Sequence, residues 1–321
     1  MKKKFEGTVH GEIPPGIIIN KWLNSDSLGV LRRSSDTPFS LVTHPDYICT
    51  EYRTKMNLFT FGRLKFYAPM TVIGPPISAD SPGYGGDLNK LIADYKRRRG
   101  IHLILNIPER PALTESAAIG ETLPSCVFRN RFSSVEEYFS ALRGSYRRRL
   151  KQALEKGTVL RIEKINNLDF TEELHGLYMQ VLKKSRYPLE SMNSDFFKHF
   201  GGEIFVFRDG AKPVAFAALK LFGKELDFVF GGMDYSARDR FDLYYNMLLL
   251  IIRQAIETKA ELVNFGQTAE PSKQRVGCSL SKRYMVAFSG NPLINGMLKR
   301  FGNMLSYRAP KEVYRCFNNY P

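Results

Sequence analysis

ELDFVFGGMDYSARDRFDLYYNMLLLIIRQAIETKAELVNFGQTAEPSKQRVG, residues Glu225 to Gly277, is the stretch on which the fold turns. It predicts a hydrophobic strand, a polar loop, one long helix and a second strand. A loop with a lone lysine, Lys273, follows, and a glycine, Gly277, stands four positions on. A strand that opens through a loop onto a helix N-terminus offers free N–H groups and a partial positive charge to a phosphate-bearing ligand. That loop also brings Arg238 and Arg240, just before a helix expected to begin near Phe241 or Asp242. The lysine loop is expected to face the same cleft, because ligands gather outside the carboxyl ends of such strands. The layout points to group transfer from a phosphorylated carrier.

Working outward, the same order of elements occurs once before. MTVIGPPI reads as a strand, DSPGYGGD as a Gly-rich loop, LNKLIADYKRRRG as a helix capped by Asp87, and IHLILNI as a buried strand. Met70 precedes Ile101 by 31 positions and Leu226 precedes Ala260 by 34, which predicts two units of one architecture in tandem. Before the first unit, the opening 35 residues read as irregular strand and lead-in. A helix interrupted by Pro45 is expected over Phe39 to Leu58, followed by a strand at FGRLKFYAP. Between the units, SSVEEYFSALRGSYRRRLKQALEKG predicts helix capped by Ser133 or Ser134 and broken at Gly144. TVLRIEKI reads as a strand, DFTEELHGLYMQVLKKSRY as a helix, and Ser194 to Phe200 as a short helix. EIFVFRDG and AKPVAFAALKLFGKELDFVFGG then form a three-strand meander turning at Asp209-Gly210 and Gly223-Lys224. The Gly-rich DSPGYGGDL could cradle a phosphate, although it lacks the GxGxxG and GxxxxGK[ST] spacings.

Composition narrows the partner. The 321 residues are 43% hydrophobic, enough for a sizeable core, and carry a net charge of +15. That balance fits an anionic partner: nucleic acid, a phosphorylated metabolite or an anionic surface. Cys49, Cys126, Cys278 and Cys316 form no CxxC pair, and the five histidines show no ligand spacing, so neither a disulfide framework nor a metal site is expected. The N-terminus is broken by Gly, Glu and Pro and does not read as a signal peptide. The longest apolar run, Met247 to Ile252, is too short to span a bilayer, so the expectation is a soluble, cytoplasmic protein without a transmembrane segment.

Antiparallel meander, phosphate-facing helix, then parallel strand resembles the GNAT N-acyltransferase fold, and specifically its Fem-like branch. That branch holds the peptidoglycan aminoacyltransferases and their acyl-CoA-using relatives. SYRRRLKQALEKG resembles the basic helix placed before their second domain. FDLYYNMLLLIIRQAIETKAELVNFG is similar to their helix and strand ending in an apolar-Asn/Asp-Phe-Gly turn, and SKQRVG to their closing lysine-to-glycine spacing. The resemblance covers most of the chain, most strongly residues 130–285. It implies a mixed α/β fold of tandem GNAT-like domains, each a mixed, centrally splayed sheet flanked by helices. Residues 1–125 would be a degenerate domain and 126–321 the acyltransferase domain. The Q/R-x-x-G-x-G/A run of simple GNAT enzymes is absent from GGMDYSARDRFD, which speaks against acetyl-CoA itself but not against acyl transfer.

The implied reaction moves an acyl group from an anionic carrier to an amine by direct attack, with no bound cofactor and no metal. Acyl-CoA is the favoured co-substrate, aminoacyl-tRNA the alternative, and a non-catalytic module binding RNA or another anion the third reading. In the family motif Lys273 stabilises the tetrahedral oxyanion; by itself the residue could equally be a solvated lysine. Asp227 would accept the amine proton, or else lie on a wet strand face, since it alternates with Leu226, Phe228 and Phe230 on the opposite side. Arg238 and Arg240 would clamp carrier phosphates or pair with Asp239 and Asp242. Gln267 and Arg275 would orient substrate, and Tyr245 reach the cleft. Arg147, Arg148, Arg149 and Lys151 would grip a tRNA or nucleotide backbone; Lys2 to Lys4 and Arg97 to Arg99 are two further basic clusters. Cys278 has no histidine nearby in sequence and is not read as a nucleophile.

Overall fold

The computed structural model describes residues 21–35, 37–57, 67–75, 77, 80–185, 191–302, 306–308 and 314–318; the Lys2–Lys4 cluster and most of FGRLKFYAP lie outside them. The chain divides into two compact units, Met1–Leu123 with Lys282–Ala309, and Pro124–Ser281 with Pro310–Pro321. The first begins with α1 (Ser25–Ser34), β1 (Phe39–His44), β2 (Tyr47–Asn57), β3 (Tyr67–Ile73), β4 (Tyr84–Gly86), α2 (Leu88–Lys96), β5 (Ile101–Ile107) and β6 (Ala118–Glu121). The second opens with β7 (Ser125–Arg129), α3 (Val135–Ala141), α4 (Gly144–Gly157), β8 (Arg161–Ile165), α5 (Glu172–Lys184) and α6 (Ser194–His199). It continues with β9 (Glu203–Asp209), β10 (Lys212–Phe222), β11 (Glu225–Met233), α7 (Arg238–Phe241), α8 (Leu243–Glu257), β12 (Leu262–Asn264), α9 (Glu270–Gln274) and β13 (Ser279–Ser281). The chain then returns to the first unit as β14 (Tyr284–Ser289) and α10 (Pro292–Arg300).

Each unit builds one mixed seven-stranded sheet, so the expected fold class is borne out. The first runs β1-β2-β3-β5-β14-β6 with β4 on β2; the second runs β13-β7-β12-β11-β10-β9-β8. Both follow one plan. An antiparallel meander ends in a strand (β3 or β11), a helix follows, and the next strand (β5 or β12) pairs parallel with that last one. The register places Met70 opposite Ile101 in the first sheet and Leu226 opposite Val263 in the second. An antiparallel neighbour completes the pattern, β14 on β5 and β7 on β12. A single cut at 125/126 does not describe the division, because β14 lies between β5 and β6 and is the strand that pairs with β6.

Local chemistry explains most elements. Asp87 Oδ1 accepts from Asn89 N and Lys90 N at 2.8 and 3.0 Å, and Ser134 Oγ accepts from Glu137 N at 3.1 Å, so both predicted caps form. Gly210 and Gly223, at φ 60° and 59°, make the two meander turns. Two expectations fail. Phe39 to Asn57 is a hairpin, not a helix: Pro45 and Asp46 make the turn between His44 and its partner Tyr47, where a missing N–H and a fixed φ are favourable. Within the supposed lead-in, Ser25–Ser34 is helical, capped by Asn24 Oδ1 on Ser27 N at 2.8 Å.

The Gly-rich loop serves backbone packing. A Cβ on Gly83 would stand 2.2 Å from the Gly74 Cα, and one on Gly86 would stand 2.3 Å from the Asp46 carbonyl oxygen. With Asp87 already taking the N–H groups at the start of α2, the loop presents a carboxylate there rather than an anion cradle.

In the first unit, Leu91, Ile92 and Tyr95 of α2 pack with Ile104, Val286 and Phe288, while Leu298 of α10 packs with Val72, Leu103 and Ala287. In the second, α8 buries ten of its residues, so it is apolar nearly all round and forms the centre of the core.

Candidate functional site

In the second unit, β11 and β12 pair over three positions, ending at Asp227 opposite Asn264. Beyond that point they part. Phe265 N donates to Cys126 O and Cys126 N to Gly266 O, both at 2.9 Å, so the chain after β12 follows β7 while β11 runs on to Met233. The β10 register also slips: Leu219 faces Phe228 but Ala218 faces Phe230, which leaves Val229 as an extra residue in β11. Phe228 to Gly231 are only half-buried, between buried Leu226-Asp227 and buried Gly232-Met233. The half-buried stretch lies just past the carboxyl end of a parallel pair, the place where ligands gather in such sheets.

The bulge reassigns side chains. Phe228 packs on the α8 side, whereas Phe230 turns to Tyr178, Phe196 and Phe197, with ring centroids 5.3, 5.5 and 5.9 Å away. A strict two-residue alternation had placed Phe228 and Phe230 together. Asp227 is not on a wet face either. It is 5% exposed and shares its register with Lys220 on β10 and Asn264 on β12. Lys220 Nζ in turn donates to the Phe200 carbonyl at 2.8 Å, just past α6, so α6 closes over that side.

The loop after β12 is tightly wound. Asn264 Oδ1 accepts from Gly266 N at 2.9 Å, and a Cβ on Gly266 would lie 4.0 Å from the Phe228 carbonyl oxygen, so the loop starts beside β11. Gly266, Thr268 and Ala269 have φ of 70°, 64° and 52°. For a β-branched threonine this left-handed conformation costs about 1–3 kcal/mol and persists only where surroundings impose it. Lys273 is neither in an irregular loop, as expected, nor a solvated lysine, the alternative. It lies in the short helix α9, is 3% exposed, and its Nζ donates to the Gln267 carbonyl at 2.7 Å. The lysine-to-glycine spacing has a packing basis, because Gly277 is at φ 102° and a Cβ there would stand 2.6 Å from the Phe317 ring. Burial pushes the Cys278 thiol well above its ordinary range, with Cys126 adding to the rise, so it stays an un-ionised core residue.

The long helix, α8, begins at Leu243, close to where it was expected, and a separate turn, α7, precedes it. α7 ends at Asp242, whose φ of 50° and ψ of 41° separate it from α8. Asn246 Nδ2 holds the break, donating to the Phe241 and Ala153 carbonyls at 2.8 and 2.7 Å. Arg238 pairs with Asp239 at 2.8 Å, and Arg240 with Asp209, not Asp242, at 3.2 Å; both arginines are exposed. Asp242 belongs to Arg149, which grips it with both terminal nitrogens at 2.7 Å. The anchor of this loop is Asp234: the Ser236 hydroxyl, then Lys212, hold its carboxyl down to about 2.

Three predicted residues from three elements meet. The Arg149 guanidinium lies 4.5 Å from the Tyr245 ring centroid, and Arg275 hydrogen-bonds Tyr245 and also Tyr314, over whose ring it sits at 5.0 Å. Tyr314 and Asp242 were not singled out from the sequence as part of such a cluster; Tyr314 comes from the C-terminal tail and carries no motif. The basic run on α4 is divided, since Arg149 turns to Asp242 while Arg148 and Lys151 are exposed and Arg147 is half-buried. Beside it, an open groove of about 800 Å³ is lined by Arg149, Gln152, Glu155, Lys156, Asp239 and Asp242. Its lining is of mixed charge and includes no residue of β11 or β12. Among the described residues no group of three or more His, Cys, Asp or Glu is placed to hold a metal ion, and no helix is long and apolar enough to cross a membrane.

A meander, a helix, and a parallel strand that leaves its neighbour at a bulge together define a GNAT-type acyltransferase fold. Residues 140–274 match the acetyltransferase (GNAT) domain, inside the second unit, and the sequence resemblance to that superfamily is thereby borne out. Two solved structures share the fold across both units. The C-terminal domain of a putative lysylphosphatidylglycerol synthetase from Agrobacterium fabrum is 12% identical, with 84% of this chain and 94% of that one covered and a TM-score of 0.53. L-PGS from Bacillus licheniformis is 11% identical, with 86% and 92% covered and a TM-score of 0.52. No curated protein matches the sequence.

Proposed function

We propose that this chain is an N-acyltransferase of the Fem-like kind that moves an acyl group from an anionic carrier, acyl-CoA, to an amine. The observation that carries the reading is the half-buried Phe228–Gly231 stretch, whose edge is left by β12 and bordered by the loop that Lys273 holds. A carrier's extended arm has a strand edge to lie against there. The amine lone pair attacks the thioester carbonyl carbon and the π pair moves to oxygen. Collapse of that intermediate expels the thiolate, and the amine's proton leaves with Asp227 as acceptor before reaching the sulfur. Lys273 stabilises the oxyanion, a contribution on the order of 3 kcal/mol for one well-placed donor. Gln267 and Arg275 orient substrate beside Tyr245, and exposed Arg238 and Arg240 hold the anionic part of the carrier.

Exposure of Arg148 and Lys151 on α4 favours a second reading, an aminoacyl-tRNA donor gripped through its backbone. Thermal-shift binding against CoA, acyl-CoAs and bulk tRNA, at low and moderate salt, separates the two. A ligand at about a hundred times its dissociation constant adds roughly 2.7 kcal/mol of stability. A shift with acyl-CoA supports the first reading, and a salt-steep shift with tRNA alone supports the second. Silence from both, with no turnover, leaves a non-catalytic module and overturns the enzyme reading.

A further inference from the structure

Helix α10 is apolar on two faces: its inner face sends Leu298 and Ile294 into the core, and a second apolar stripe lies outside. It buries Asn295, whose amide donates to the Ser116 carbonyl at 2.9 Å and accepts from Ser289 N at 3.2 Å. Its outer stripe carries Leu293, Met297 and, at the C-cap, Phe301, which are 80%, 55% and 45% exposed. These positions are four apart and so lie along one face. Every large apolar side chain described as exposed in the first unit is on this stripe.

Cations stand at both ends. Beside Phe301 is exposed Arg300, whereas Lys299, four residues after Asn295, turns to the Ser116 hydroxyl at 3.2 Å; the nine residues of α10 include no carboxylate. At the other end the carboxyl terminus of α2 abuts the start of α10. A Cβ on Gly290 would stand 1.9 Å from the Lys96 carbonyl oxygen, and Ser289 Oγ donates to the Gly100 carbonyl at 2.7 Å. That contact brings exposed Arg99 to the foot of the stripe, with Arg97, which touches Asp94 at 3.2 Å through one nitrogen but is 78% exposed. Glu115, next to the Ser116 that Asn295 holds, is engaged by Lys96 at 2.7 Å.

We propose that the α10 face, with the end of α2, docks on an anionic lipid surface. Leu293, Met297 and Phe301 enter the boundary between headgroups and acyl chains, and Arg97, Arg99 and Arg300 meet the headgroup charge. An apolar stripe bracketed by cations fits a surface that is negative outside and apolar beneath. A second copy of the same stripe would bring like charges together at both ends. The three side chains make the docking reversible rather than an anchor.

Co-sedimentation of the full chain with vesicles tests this. Vesicles of phosphatidylcholine with about 30% phosphatidylserine should carry the protein down, pure phosphatidylcholine should not, and salt near 0.5 M should weaken the binding. The variant Leu293→Asp/Met297→Asp should lose at least about tenfold in vesicle affinity, as should Arg97→Glu/Arg99→Glu. Leu168→Asp, at an exposed apolar position of the second unit, should bind like the wild type. Circular dichroism and melting temperature check that the variants are folded. Absence of binding to the anionic vesicles, or undiminished binding by the Leu293/Met297 variant, overturns the proposal. So does a wild-type dimer that this variant turns into a monomer without any vesicle binding, which would make the stripe a protein interface.

Discussion

The ammonium of Lys273 and the carbonyl of Gln267 are 2.7 Å apart in a position where the lysine is 3% exposed, so the cation and the left-handed loop hold each other in place. Lys273→Met leaves that carbonyl without its charged donor and, on the proposed mechanism, the oxyanion without its cation. Turnover should fall by about a hundredfold or more, the range seen when one oxyanion donor is removed, and amide exchange over residues 264–269 should quicken. Near-normal turnover with acyl-CoA and amine would remove Lys273 from the chemistry. Faster exchange with normal turnover would leave it a structural residue.

Arg149 and Asp242 tie α4 to the break between α7 and α8 by a two-pronged bond. The arginine is partly open to solvent, so a double-mutant cycle on Arg149→Ala and Asp242→Ala should return a coupling of about 1 kcal/mol in urea unfolding. Arg149→Lys should not restore it, because an ammonium cannot reproduce the planar fork over Tyr245. A coupling indistinguishable from zero would show the pair to be incidental.

Gly232 and Gly176 should respond oppositely to alanine. A Cβ on Gly232 would stand 2.4 Å from the Phe216 ring and 2.6 Å from Tyr178 N, so Gly232→Ala must push α5 off the sheet and should cost about 2 kcal/mol or more. Gly176, within α5, has nothing within 4 Å of its would-be Cβ, and Gly176→Ala should stabilise by about 0.5–1 kcal/mol. Chemical denaturation of both variants decides it; equal midpoints would contradict the packing described.

Asp234 makes stability depend on acid. Its folded pKa is depressed to about 2, first by Ser236 and then by Lys212, from an ordinary value of 3.8. Its contribution is therefore complete above the unfolded value and is lost as pH falls from about 4 through about 2. With Lys212 largely open to solvent the contribution is about 1 kcal/mol. Asp234→Asn should lower the melting temperature at neutral pH and flatten its decline across that window. An unchanged decline would mean that other carboxylates govern it.

Elements with strong local signals were legible: the Asp87 and Ser134 caps, the glycine turns at 210 and 223, and the two helices parted at Gly144. So was the tandem plan, because the interval between Met70 and Ile101 is the parallel register itself. Short strands such as β6, β7 and β13 had no periodicity to read, and they exist because a neighbouring strand pairs with them. The bulge at Val229, the burial of Asp227 and Lys273, and the hold of Arg149 on Asp242 all depend on contacts between distant segments. Composition in a window could suggest those residue types but not their neighbours.

The return of β14 to a place between β5 and β6 sets a constraint on how the protein is made. A ribosome that has delivered the first 125 residues has not yet delivered the strand that joins β5 to β6. Throughout synthesis of the second unit the first has a hydrophobic strand, IHLILNI, with one edge bare, the kind of edge that recruits other chains. Vectorial folding, first domain before second, is closed to this chain. Its first unit matures only after residues 284–289 emerge, so fragments cut at 125 should aggregate where longer ones fold.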